Sequence, residues 1–136
     1  LLTLDGKKVL VEMSFFSEPP KLHDYIFQMR TKGYEPILAH PERYDYLDQG
    51  QYQRLRELGC SFQINILSLV GHYGTPIRKN ALMLLKKNWG DFLGTDMHHE
   101  EHAEKIQAAL IKNRTLRKVL NSYNFQNKTL AKRLVQ

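Results

Sequence analysis

Tyr34-Glu35-Pro36-Ile37-Leu38-Ala39-His40-Pro41-Glu42-Arg43-Tyr44 holds the pattern on which the reading of this chain turns. A short apolar run, Ile37-Leu38-Ala39, is bounded by Gly33 on one side and His40-Pro41 on the other, as expected of a buried strand that ends in a polar loop. Upstream, Lys8-Val9-Leu10-Val11-Glu12-Met13 follows the turn Asp5-Gly6 and has the same form. Between the two, Ser17-Glu18-Pro19-Pro20 opens a helix whose apolar stripe is read as Leu22, Ile26 and Met29 with Tyr25 beside them, and Gly33 stops it. Downstream the alternation continues. A helix is predicted from about Asp48 to Leu58, with Tyr52, Leu55 and Leu58 inward, and Gly59 ends it. A strand follows over Ser61–Asn65. The loop Gly71–Pro76 leads to a helix over Ile77–Lys87, and a fourth strand covers Asp91–Thr95. Helices from about Glu101 to Lys112, then a further one, then a last one from about Lys128, close the chain.

This βαβαβαβα order predicts an α/β fold, because helical crossovers make neighbouring strands parallel and a parallel sheet has to be covered. Four strands are too few to close a barrel; they look like one side of one. No linker or low-complexity stretch divides the chain, so residues 1–136 are read as one domain.

The strand ends carry the chemistry. Glu12 and His40 are 28 residues apart, and His40 and Asp96 are 56 apart. One βα unit has about that length, so the three are expected at the same station, the C-terminal end of a strand, which is the rim where βα folds bind ligands. Carboxylates and imidazoles together suit Mn, Fe or Zn, and without thiolates a soft-metal site is disfavoured. Each residue alone has an ordinary explanation: a solvated Glu12, a hydrogen-bonded core His40, an Asp96 that caps the next helix. The spacing weakens all three explanations together. Arg43 lies in the loop over the same rim, where a guanidinium forks onto two phosphate oxygens. Its alternative is an ion pair with Glu42, Asp45 or Asp48. His98, His99 and His102 are near Asp96, and His72 is expected as a loop contact near the rim. His23 reads as a helix-surface residue.

The chain has 20 basic and 14 acidic residues, a formal charge of +6. Seven of the basic residues fall between Lys112 and Arg133 with no acid among them. A basic helical tail is usually a solvated face, so nucleic-acid binding is not expected. An anionic substrate accounts for the charge as well. Cys60, the single cysteine, forms no internal disulfide and reads as a small buried hydrophobe. No signal peptide and no apolar run of roughly 18 residues is present, and the expectation is a soluble, cytoplasmic protein.

Val11-Glu12-Met13-Ser14, Leu38-Ala39-His40-Pro41-Glu42-Arg43-Tyr44 and Gly94-Thr95-Asp96-Met97-His98 together resemble the polymerase-and-histidinol-phosphatase superfamily. Within it, the chain is similar to the manganese-dependent tyrosine-protein phosphatases of bacterial capsular and extracellular polysaccharide operons, from Val9 to about Leu110. The His-Pro-Glu-Arg-Tyr segment is the specific part of the match. The resemblance implies the C-terminal portion of a distorted (β/α)7 barrel holding two or three metal ions. It implies Glu12, His40, Asp96 and His98 as metal ligands and Arg43 as the phosphate-binding residue. It implies hydrolysis of phosphotyrosine in proteins by a metal-activated hydroxide, with a bacterial tyrosine kinase of the polysaccharide export machinery as partner, and it leaves a homo-oligomer open. A histidinol-phosphatase-like phosphoesterase and an inactive binding module are the alternatives. Two departures stand out: the superfamily's N-terminal His-x-His strand has no counterpart here, and where a second arginine is common the chain reads His99-Glu100-Glu101-His102-Ala103-Glu104-Lys105. His102 or Lys105 is the candidate substitute. Half a barrel would leave apolar edges exposed. The expectation is therefore that the missing half was cut off or left out, or that a partner chain covers the gap.

Overall fold

Four parallel strands, β1 (Lys8–Val11), β2 (Glu35–Ala39), β3 (Ser61–Asn65) and β4 (Phe92–Gly94), lie side by side in the order β1-β2-β3-β4 in the computed structural model, which describes residues 1–135. Gln136, the last residue of the expected domain, lies outside the described residues. The sheet is open: β1 and β4 each pair on one side only among the described residues. Helices α1 (Leu22–Thr31), α2 (Gln49–Glu57), α4 (Thr75–Lys86) and α5 (Glu100–Lys112) make the connections and the flank, with a short α3 (Ile66–Leu69) directly after β3. Helices α6 (Arg114–Ser122) and α7 (Asn127–Leu134) end the chain.

Local chemistry explains the helix ends. Asp48 accepts a hydrogen bond from the Gln51 N–H (2.8 Å), while the Gln51 side chain accepts from the Asp48 N–H (2.9 Å), a reciprocal cap that starts α2. Asn113 caps α6 through the Leu116 N–H (2.9 Å). Gly33 and Gly59 end α1 and α2 at φ 85° and 84°, a backbone region that costs glycine nothing.

One face of the sheet is covered by the helices. Leu22 and Ile26 of α1, Tyr52 and Leu55 of α2, and Ala81 and Leu84 of α4 pack with Leu38, Phe62 and Ile64 in one buried cluster. A smaller cluster of Ile66, Leu67 and Ile106 ties α3 to α5. The helix stripes read from the sequence hold at Leu22, Ile26, Tyr52 and Leu55, with Leu58 partly buried against the same core. Met29 is half-buried, and Tyr25, beside the stripe, is exposed. His23 is half-buried rather than on the surface, with its Nε2 shielded from solvent. The predicted strand limits shrink at both ends of β4 and at the end of β1, and α4 starts two residues earlier than predicted, on Thr75-Pro76, where proline lacks only an N–H that no helix bond needs. Cys60 is buried, and burial pushes its thiol up to about 12.

Candidate metal and phosphate site

The C-terminal ends of β1, β2 and β4 deliver the candidate residues to one opening. Glu12, His40 and Asp96 line the same cavity of about 400 Å³, together with Leu10, Gln63 and Leu93 of the sheet. Glu12 and His40 are neighbours, with Oε1 and Nε2 3.4 Å apart. Burial lowers the His40 pKa, and Arg43 lowers it further, against the opposing pull of Asp96 and Glu12.

Equal spacing in sequence does not translate into equal height in the sheet. Val11 is level with Leu38, so Glu12 is level with Ala39, and His40 stands one step beyond it. Ile37 is level with Ser61 and Ile64 with Leu93, so the level of His40 falls at Leu93, three residues before Asp96. Beyond the strand ends it is Arg43, in the turn Pro41–Arg43, whose side chain meets Asp96. Arg43 Nη1 donates to Asp96 Oδ2 at 3.1 Å. The expected partners of that guanidinium in its own loop, Glu42, Asp45 and Asp48, do not take it. Asp96 does not cap a helix either, because α5 begins after His99.

His40 and Asp96 both adopt left-handed backbone conformations, φ 34° and 46°. Such torsions are uncommon outside glycine, although His and Asp are among the types that tolerate them, and they concentrate where a fold aims a side chain. The His40 turn is held on several sides. The His40 N–H donates to Gln63 O (2.8 Å), the Tyr52 hydroxyl donates to Pro41 O (3.0 Å), and the Asn65 N–H donates to Glu42 Oε1 (3.0 Å). Glu42 is fully buried, and burial raises its pKa to about 7. Tyr44 and Tyr46 tie down the loop after β1: the Met13 N–H donates to the Tyr44 hydroxyl (2.9 Å), and the Tyr46 hydroxyl donates to Ser14 O (2.6 Å). Glu42, Tyr44 and Tyr46 escaped sequence reasoning as builders of the site. Their only signal was adjacency to His40 and Arg43.

The remaining candidates stand around this opening. His98 is exposed and does not line the cavity; its Nδ1 is 2.8 Å from Asp96 O and 3.6 Å from Asp96 Oδ1. His72 stacks edge-on with Tyr73 (4.8 Å between centroids) and His102 (5.1 Å), and His102 with His99 (5.3 Å). Lys105 reaches Glu101 (2.7 Å) and His72 (3.1 Å), so it is engaged away from Arg43. Among the described residues, no three His, Cys, Asp or Glu side chains are grouped closely enough to hold an ion by themselves. The donor types at the opening fit a divalent metal, and His40 Nδ1 is a buried polar atom with no protein partner, but the set is a partial one.

A family model for capsular polysaccharide synthesis, CpsB/CapC, matches residues 1–129. The chain belongs to the CpsB/CapC family. Among curated relatives it is 32% identical over 102 residues to the tyrosine-protein phosphatase YwqE of Bacillus subtilis, covering 73% of this chain and 40% of that protein. It is 33% identical over 97 residues to the putative tyrosine-protein phosphatase CapC of Staphylococcus aureus, covering 69% and 38%. It is 30% identical over 103 residues to the tyrosine-protein phosphatase CpsB of Streptococcus pneumoniae, covering 70% and 42%. The fold superposes on a solved chain from a study of YwqE and CpsB as unique metal-dependent tyrosine phosphatases, with a TM-score of 0.70 and 25% identity, over 92% of this chain and 57% of that one. The CpsB/CapC chain described here thus spans about two fifths of the length of the curated relatives it matches. Its open four-stranded parallel sheet is a partial barrel of that fold.

Proposed function

We propose that the protein hydrolyses phosphotyrosine in proteins with the help of divalent metal ions, manganese first among them, in the service of capsular or extracellular polysaccharide synthesis. The observation that carries this reading is the meeting of Glu12, His40 and Asp96 in one cavity, with Arg43 bonded to Asp96 at its rim, in a chain whose relatives are named tyrosine-protein phosphatases. Glu12, His40, Asp96 and His98 would hold metal, and the ligands still needed would come from the part of the relatives' length that this chain does not span. A bound divalent ion supplies activation of water and stabilisation of charge on the phosphoryl oxygens.

The residues of this chain then divide the remaining work. Arg43 presents a planar fork to two phosphoryl oxygens, which orients the ester and takes up charge developing on them. Asp96 holds that fork over the opening. Glu42, Tyr44, Tyr46 and Tyr52 fix the loops, so that the fork is positioned before substrate arrives. His102 is a candidate second contact to phosphate, supported by the run of rings from Tyr73 through His72 to His102. The substrate in this reading is a bacterial tyrosine kinase of the polysaccharide export machinery, and the site is cytoplasmic. The single unpaired cysteine is compatible with a reducing compartment, and no helix among the described residues is long and apolar enough to cross a membrane.

The test is a phosphatase assay on a phosphotyrosine peptide, with the protein as its gene encodes it. Activity should disappear with EDTA and return with Mn²⁺, and Arg43→Lys should lower kcat/KM at least about tenfold because a point charge replaces a fork. Turnover that survives complete chelation would sink the reading.

A further inference from the structure

The phosphate clamp by itself leaves the rings around Arg43 unexplained. The guanidinium carbon lies 4.5 Å from the centroid of Phe15 and 4.0 Å from that of Tyr73. Phe15 belongs to the loop between β1 and α1, and Tyr73 to the loop between α3 and α4. Two segments far apart in sequence therefore close on one side chain. Phe15 is also stacked near His40 and Tyr44, at 5.4 Å from each ring. Despite these contacts it keeps 39% of its surface exposed, and Phe16 beside it is 98% exposed. Large apolar side chains held at a polar rim and left partly open mark a surface that receives something apolar.

The chemistry of a phosphomonoester says what that would be. Its free oxygens face the clamp and its single ester oxygen carries the organic group outward, past whatever forms the walls. Here the rings that flank the clamp are those of Phe15 and Tyr73. An aryl group leaving that clamp can stack on them, whereas the ester of an aliphatic alcohol offers no π-face. Aromatic pairs of this kind add roughly three- to tenfold in affinity per ring beyond area burial.

We propose that Phe15 and Tyr73 are specificity-determining residues that make the site select aryl over alkyl phosphoesters. The inference rests on the phosphoester reading above and adds the residues that decide the class of ester.

Binding of phenylphosphonate and methylphosphonate, neither of which is hydrolysed, separates the two ideas. The protein as its gene encodes it would be titrated with each, alongside Phe15→Leu, Tyr73→Leu and Phe15→Tyr. The expected result is at least a fivefold preference for the phenyl compound in the unaltered protein. The preference should shrink about three- to tenfold in each leucine variant and persist in Phe15→Tyr, while methylphosphonate binding changes less than twofold. In turnover, the ratio of kcat/KM on a phosphotyrosine peptide to that on an alkyl phosphate should fall in parallel. Equal losses on both phosphonates would show that the rings only support Arg43 and would overturn the inference. So would a ratio near one in the unaltered protein, a measurement that needs no variant to fold. Binding of both phosphonates without preference defeats this inference alone, and binding of neither defeats the phosphoester reading with it.

Discussion

Glu42→Gln should make the protein progressively more stable than wild type as the pH rises. Glu42 has no exposed surface, and burial raises its pKa from 4.5 to about 7. Between those values the folded protein keeps a proton that the unfolded chain has released. Stability therefore falls as pH rises through that window, and the loss is complete above about pH 7. A shift of this size corresponds to about 3 kcal/mol in full, most of which develops between pH 5 and pH 8. Glutamine keeps the acceptor that the Asn65 N–H uses, carries no charge, and offers an amide N–H to the neighbouring Ser68 hydroxyl. The difference in unfolding free energy, glutamine minus glutamate, should thus grow by about 2–3 kcal/mol from pH 5 to pH 8. Urea denaturation followed by Trp89 fluorescence, with EDTA present throughout, measures it, and taking the difference cancels every other titrating group. A difference that is the same at both pH values would mean that Glu42 is ionised in the folded state, and the account of its burial would be wrong.

Two other outcomes follow from the packing. A Cβ at Gly90 would stand 2.7 Å from Leu85 Cδ2 and 3.0 Å from Ile64 Cγ1, both in the core, so Gly90→Ala should cost about 1–3 kcal/mol through overpacking, read as a lower urea midpoint with an unchanged slope. Cys60, buried with its thiol pushed up to about 12, should resist a thiol-reactive disulfide reagent in the native protein and react within seconds in 8 M urea, where ~8 M suffices to unfold most domains; rapid native labelling would show that the start of β3 opens.

The sequence by itself determined the order of elements and the class of the fold. Apolar runs of strand length alternate with helical stripes, and those periods are local properties that a parallel sheet with helical crossovers turns directly into architecture. It also determined which donor types stand at the strand ends, because Glu12, His40 and Asp96 each follow an apolar run. Tertiary structure alone decided how those donors meet. Sheet register, which depends on how whole strands pack, puts the level of His40 at Leu93, three residues before Asp96, so equal spacing along the chain ended in unequal heights, and Arg43 is the side chain that bonds Asp96. The short helix α3 was not legible, since Ile66-Leu67-Ser68-Leu69, three apolar residues and one serine, continues a strand pattern until the Asn65 side chain caps it through the Leu67 N–H. The aromatic closure of Arg43 was equally hidden. Phe15 and Tyr73 lie 28 and 30 residues from it, on opposite sides in sequence, and only the folding of two loops onto the rim brings their rings to its two contacts.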